Sequence, residues 1–134
     1  MVRIDNPFQL LYVSRLAPEC TWEVMKEIAD AARRHNPAYG ITGALLFDGE
    51  RFCQLIEGNE PEVRALMDNI SRDARHTSVK LLFTGRSPSG PSTQRWVCGY
   101  CDAHELEAFD TAPEPAGGVA LDWFLSVLHG ADME

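Results

Sequence analysis

The sequence lacks any stretch long and apolar enough to cross a bilayer. Its longest apolar runs, such as Gly43-Ala44-Leu45-Leu46-Phe47, fall far short of the roughly 20 residues a spanning helix needs. Residues 1–20 also lack the apolar core of a secretory signal, so a cytoplasmic protein is expected. Cysteine is scarce. Cys20, Cys53, Cys98 and Cys101 are too few and too scattered for a disulfide framework, and reduced thiols behaving as small hydrophobes are expected. Positive charge is in deficit as well: 12 Lys and Arg against 20 Asp and Glu leave a formal net charge of −8. Such a surface repels phosphate backbones and anionic headgroups, which argues against nucleic acid and membrane partners. No internal repeat or long low-complexity tract is present.

What remains is the balance of an ordinary globular domain: 134 residues, 45% apolar and 24% charged. Gln9–Ser14 reads as a first strand, ended by Leu16-Ala17-Pro18. Thr21 is placed to cap a helix, with Trp22, Met25, Ile28, Ala29 and Ala32 recurring at helical spacing up to His35-Asn36. Pro37 and Gly40 stop it. Two apolar runs follow, Ile41–Phe47 and Phe52–Ile56, separated by Asp48-Gly49, a dipeptide that tolerates the positive φ of a tight hairpin. Asn59, with Glu62 three residues on, has the form of a capping box opening a second helix through Val63, Leu66, Met67 and Ile70. Val79–Phe83 reads as a fourth strand, residues 84–94 as a Pro/Gly/Ser loop, and Trp96–Tyr100 as a fifth strand.

The order β-α-β-β-α-β-β predicts an α+β, ferredoxin-like fold, a mixed five-stranded sheet with two helices on one face. Beyond it come a short helical segment around His104–Phe109, a break at Pro113–Gly118 and an amphipathic stretch Val119–His129. Leu121, Phe124, Leu125 and Leu128 share one face of that stretch. These C-terminal helices are expected to cover the bare face of the sheet, or to offer an apolar stripe to another subunit.

Polar residues inside apolar strands are the first candidates for function. Alternation along the third strand puts Phe52, Gln54 and Ile56 on the face that meets the helices, and Arg51, Cys53, Leu55 and Glu57 on the other. Gln54 is then an amide in a core, and burying it unpaired costs about 1–3 kcal/mol. Tyr12 is a second polar tip that needs a partner. The plain reading is that each bonds to backbone or solvent. The functional one joins them to His35 and Asn36 at the end of the first helix and to Arg72, Asp73, Arg75 and His76 after the second. Amides at a pocket floor suit a heteroaromatic ring, and an arginine at its mouth suits a phosphate. Arg72–His76 also reads simply as a solvated helix end with cations complementing the dipole.

The ordered set Tyr12-Val13-Ser14, His35-Asn36, Ile41-Thr42-Gly43-Ala44-Leu45-Leu46, Phe52-Cys53-Gln54-Leu55-Ile56-Glu57-Gly58, Arg72-Asp73-Ala74-Arg75-His76 and Trp96 resembles the BLUF family, flavin-binding sensors of blue light. The resemblance covers Gln9 to about Cys101 and implies the fold already inferred, with non-covalent FAD held between the two helices. It implies that Tyr12 is the photoactive phenol and Gln54 the switching amide. Asn36 then holds the pyrimidine edge of the flavin, His35 lies beside the ring, and Ile28 and Phe52 line its apolar surround. Asp73, Arg75 and His76 match positions near the ribityl-phosphate side. A sensor domain over residues 1–102 and a helical output or oligomerisation extension over 103–134 follow. So do a separate effector protein as partner, a homo-oligomer through the Leu121/Phe124/Leu125/Leu128 stripe, and no enzymatic turnover.

The chain departs from the family pattern in two places. Cys98 stands where the family usually has methionine two residues after Trp96, which bears on how Trp96 and Cys98 relay the switch. A Ser/Pro/Gly-rich loop replaces the usual Arg-x-Phe upstream. Cys98-Gly99-Tyr100-Cys101 also has the form of a redox motif, but on a strand its two thiols point to opposite faces and no second pair completes a metal site. Glu57, His104 and His129 have no companions and read as solvated surface residues. The alternative function is a ferredoxin-like interaction or ligand-binding module without light sensing.

Overall fold

A computed structural model describes residues 6–111 and 118–133. The chain runs β1 (Phe8–Leu16), α1 (Val24–His35), a 3-10 turn (Asn36–Tyr39), β2 (Thr42–Phe47), β3 (Arg51–Gly58), α2 (Glu60–Ser71), β4 (His76–Arg86), β5 (Trp96–Tyr100), α3 (Glu107–Thr111), α4 (Val119–Gly130) and β6 (Asp132–Met133). The sheet order is β4-β1-β3-β2-β5-β6. Strands β1 and β2 both run antiparallel to β3, which lies between them, so β1-α1-β2 is a split βαβ unit, as expected. β5 joins β2 in parallel, and the two-residue β6 adds a sixth strand that the sequence pattern did not signal.

The β2–β3 hairpin forms where Asp48-Gly49 predicts it. Gly49 takes φ +98°, and Asp48 Oδ1 accepts the backbone N–H groups of Glu50 (2.9 Å) and Arg51 (2.8 Å). Gly43 has a different reason to be glycine. At φ +148°, a Cβ there would meet the Leu55 carbonyl oxygen at 2.0 Å, so β2 can lie against β3 only with a bare backbone at this point.

Both faces of the sheet are covered. On one, α1 packs Val24, Met25 and Ala29 against Leu45, Phe47, Phe52, Trp96 and Cys98, while α2 packs Val63 against Phe8, Leu10, Tyr12 and Ile56. On the other, Leu106, Phe109, Ala120, Leu121, Phe124 and Val127 pack against Leu11, Val13, Ala44, Leu46, Cys53 and Leu55. Of the two roles open to the C-terminal stripe, the fold takes the first: Leu121 and Phe124 are buried within the chain, with Leu125 and Leu128 partly so.

Several local expectations need correction. The first helix starts at Val24 behind Glu23, not at a Thr21 cap; Thr21–Lys26 is wound by i→i−3 backbone bonds, which leaves Trp22 outside the buried stripe and 64% exposed. Asn59 is the N-cap residue of α2, but no side-chain capping bond forms. β1 and β4 both run longer than their apolar runs, because edge and end positions carry polar residues that pair all the same. The C-terminal segment around His104 is turn up to Leu106, with only Glu107–Thr111 helical. The break expected at 113–118 lies outside the described residues except for Gly118.

Candidate functional site

The centre of the site is set by strand register. Tyr12 on β1 pairs with Gln54 on β3, Gln54 with Leu45 on β2, and Leu45 with Cys98 on β5, so the four lie on one rung facing α1 and α2. Within it the Tyr12 hydroxyl donates to Gln54 Oε1 at 2.7 Å, and both residues are buried. Burial pushes the Tyr12 phenol well above its ordinary titration range, helped by nearby Cys53 and Asp73, so it remains a neutral O–H donor at every physiological pH. That commits the carbonyl of Gln54 to Tyr12 and leaves its NH₂ group for another acceptor.

Asn36 stands at the end of α1, where Pro37 forces the helix into a 3-10 turn and Gly40, at φ +68°, reverses the chain into β2. The residue is 3% exposed, yet its Nδ2 bonds to nothing among the described residues, and Trp96 Nε1, buried on the same face, is the other such atom. Buried donors are almost always satisfied in folded proteins, so an amide and an indole N–H left over on one helix-covered face are available to acceptors from outside the chain.

The remaining candidates fall into two groups. Phe52 is buried and stacks on Phe47 with ring centroids 4.7 Å apart, and Ile28 is partly buried against the α1 cluster. Asp73 and Arg75 form a forked pair at the α2–β4 turn, Arg75 Nη2 lying 2.6 Å from Asp73 Oδ2; the Arg75 hydrogen bond holds the Asp73 carboxyl below its usual range despite partial burial. His76 sits in the wall beside Tyr12, edge-on at 6.2 Å between ring centroids. His35 and Arg72, by contrast, are exposed; Arg72 donates to Asn69 Oδ1 at 2.8 Å, as a solvated helix end would. Cys98 is fully buried under α1, and Arg33 Nη2 approaches its Sγ at 2.8 Å. Cys101 packs against the opposite face, so the two thiols of the C-x-x-C are separated by the sheet, as the strand reading requires.

Glu57 overturns its surface reading. It is fully buried, and its carboxylate accepts from Gln9 Nε2 (2.8 Å), Ser92 N (2.7 Å), Thr93 N (2.9 Å) and Thr93 Oγ1 (2.7 Å). Those bonds pin the β4–β5 loop to the end of the sheet just ahead of Trp96. The signal available in the sequence was position: Gln9 and Glu57 are register partners, each set within a strand whose neighbouring positions are mostly apolar. His104 and His129 are exposed, as expected. An open cleft at the other end of α2, lined by Gly58, Asn59, Glu60, Pro61, Arg64 and Arg86, lies apart from Tyr12 and Gln54, and both of its arginines are bonded to Glu60.

Comparison with known proteins agrees with this geometry. The family model described as BLUF, sensors of blue-light using FAD, matches residues 8–93. The blue light- and temperature-regulated antirepressor BluF of Escherichia coli (strain K12) is 32% identical over 80 residues, covering 60% of this chain and 20% of that protein. The photoactivated adenylate cyclase subunit alpha of Euglena gracilis is 34% identical over 79 residues, 58% of this chain and 8% of that one. The chain thus spans a fifth or less of these curated relatives. Whole-length likeness is found among solved structures: the dark state of BlrB, a BLUF protein, at TM-score 0.73 and 25% identity over 94% of this chain and 97% of that one. The photo-activated state of BlsA follows at TM-score 0.71 and 28% identity over 90% and 92%.

Proposed function

The chain belongs to the BLUF family of blue-light sensors, and we propose that it senses light through FAD bound between α1 and α2 and a hydrogen-bond switch made by Tyr12 and Gln54. The observation that carries this reading is the buried 2.7 Å bond from the Tyr12 hydroxyl to Gln54 Oε1, set on the same face as the unbonded donors Asn36 Nδ2 and Trp96 Nε1. Asn36 is the residue to hold the pyrimidine edge of the ring, Ile28 and Phe52 to line its apolar surround, and His35 to flank it from the rim. Asp73 and Arg75 stand on the ribityl-phosphate side. Bound there, a flavin supplies blue-light absorption and, once excited, an acceptor for an electron.

The chain's own residues supply the rest. Tyr12 is a phenol that could give an electron and then its hydroxyl proton to such an excited ring and regain both in the dark; its burial makes loss of the proton alone unfavourable. Gln54 carries one acceptor and one donor group, so reorganising its amide exchanges hydrogen bonds without moving the backbone. Trp96 and Cys98, on β5 and on the same face of the sheet as Gln54, relay the rearrangement, with Cys98 a shorter relay than the usual methionine. Nothing is turned over: light acts as an effector that shifts a conformational population.

Residues 1–102 act as the sensor and 103–134 as the output extension, since α3 and α4 lie on the sheet face opposite the switch. Relatives named as adenylate cyclase subunits and as an antirepressor support transfer of the signal to an effector, here a separate protein, with self-association as a further route. No helix among the described residues is long and apolar enough to cross a membrane, which fits a cytoplasmic site of action. The retained Tyr12, Asn36 and Gln54 argue against a module that has lost light sensing. The test is to purify the chain, release and chromatograph its cofactor, and record spectra before and after blue light. FAD with a small, dark-reversible red shift is expected; another flavin would overturn the cofactor assignment, and a colourless protein that refuses added FAD would overturn the reading as a whole.

A further inference from the structure

His76 reaches three elements around Tyr12: β1, β3 and α2. Its Nδ1 lies 2.8 Å from Ser14 Oγ on β1, and its Nε2 lies 2.5 Å from the Ile70 carbonyl in the last turn of α2. A carbonyl can only accept, so Nε2 carries the proton, and in the neutral ring Nδ1 accepts from the Ser14 hydroxyl. Both nitrogens are therefore engaged by protein groups. The ring edge meets Tyr12 at 6.2 Å and 73° and Phe52 at 6.4 Å and 80°, geometries favoured between aromatic rings.

The backbone explains why such a strut is needed. The β1–β4 ladder is irregular on both sides of the phenol, with register shifts between Leu11 and Tyr12 and between Val13 and Arg15; Ser14 has no register partner on β4. Opposite it Ser78 adopts φ +54°, a conformation that L residues rarely hold outside bulges and turns. A bulge re-aims the side chains beside it and removes ladder bonds that would otherwise fix them. Where β1 loses its pairing to β4, while keeping that to β3, the His76–Ser14 bond supplies a side-chain tie on the β4 side, two residues from Tyr12 on the same face of the strand.

We infer that His76 is a positioning residue that fixes the aim of the Tyr12 phenol by tying β1 to the end of α2, and that it does not act as a ligand of the cofactor. The inference rests on the reading of Tyr12 as the switch phenol. It separates two roles that the family resemblance merges, since a cofactor ligand governs affinity and a strut governs the switch.

The experiment compares His76→Leu, His76→Asn and Ser14→Ala in the full chain. In His76→Leu, FAD affinity stays within about twofold while the dark-recovery rate changes about fivefold, the scale of one lost neutral hydrogen bond. In the flavin-free protein, the NMR ring-flip rate of Tyr12 rises. Ser14→Ala moves recovery and ring flipping in the same direction, and combining it with His76→Leu adds little, because both remove one tie. His76→Asn, whose amide can stand in for Nδ1, recovers most of the native rate. Loss of FAD affinity by about tenfold or more, with unchanged recovery in the loaded fraction, would make His76 a ligand and overturn the inference. Unchanged recovery and ring flipping in both His76→Leu and Ser14→Ala would also overturn it. Tyr12→Phe serves as the control: a variant that still switches would remove the phenol reading, while the ring-flip measurement tests the strut in the dark without it.

Discussion

The Tyr12 hydroxyl and the Gln54 carbonyl are joined by a 2.7 Å hydrogen bond between two residues that are also direct partners across β1 and β3. Strand register therefore delivers the contact, and no loop has to move to make it. Removing the hydroxyl alone tests its role. Tyr12→Phe keeps the ring and its packing, so the protein should fold and hold flavin as before, with the reversible red shift lost. A difference spectrum taken before and after blue light reads this directly.

Asn36 presents a buried Nδ2 with no partner among the described residues. Replacement by Leu costs the fold little, since no intramolecular side-chain bond is broken at that atom. It should weaken flavin binding by about tenfold or more, the effect of one buried hydrogen bond of about 1.5 kcal/mol to a polar ring edge. Titration of the flavin-free protein with FAD, followed by fluorescence, gives the ratio. Equal affinity for variant and parent would remove Asn36 from the site.

Glu57 makes the opposite prediction. Its carboxylate satisfies two backbone N–H groups and two side chains of β1 and the β4–β5 loop, on the side of β3 opposite Gln54. Glu57→Ala strands those donors in a dry environment and should destabilise the chain by about 3 kcal/mol. Chemical denaturation should show the loss in flavin-free protein as clearly as in the loaded one. A loss confined to the loaded form would instead assign Glu57 to the cofactor.

Asp110 links α3 to the sheet through Arg51 (2.9 Å) and Arg15 (2.7 Å), two guanidinium groups on neighbouring strands. Burial raises the affinity of its carboxyl for a proton, but the hydrogen bonds from Arg51 and Arg15 outweigh burial and leave it below the usual carboxylate range. A carboxyl depressed in the folded state contributes stability that is complete above its unfolded pKa of about 3.9 and is lost as pH falls through the lower folded value. Stability should fall with acid below about pH 4. In Asp110→Asn that part of the pH dependence should flatten, with a lower stability at pH 7. Denaturation midpoints between pH 2 and pH 7 measure both, and an unaltered pH profile would contradict the link.

The cysteines should be poor reactants. Burial raises the Cys101 thiol to about 12 and Cys53 well above its ordinary range, so neither forms thiolate at neutral pH. Cys98→Ser with Cys101→Ser should leave flavin content and the red shift in place, changing at most the recovery rate through Cys98. Loss of colour in that variant would revive a thiol role for the pair.

The fold and the centre of the site were legible because each rests on a local pattern. Asp48-Gly49 announces its hairpin, alternation in β3 puts Gln54 toward the helices, and the β-α-β-β-α-β-β order leads to the observed sheet. What escaped depends on register between distant segments. Glu57 looks like the polar end of a strand until Ser92 and Thr93 fold back onto it, 35 and 36 residues away. Ser14 and His76 meet across 62 residues, beside a bulge that composition does not mark. Thr21 and Trp22 failed for the reverse reason: a helical apolar spacing continued into a 3-10 entry whose bonds follow a different period.

The most direct test of the switch is an absorption spectrum of Gln54→Leu beside the parent protein, each in the dark and immediately after blue light. Leucine keeps the volume near the ring and removes both the acceptor for Tyr12 and the amide that rearranges. The account predicts flavin bands in both proteins, a small red shift that decays in darkness in the parent, and none in the variant. A normal reversible shift in Gln54→Leu would contradict it.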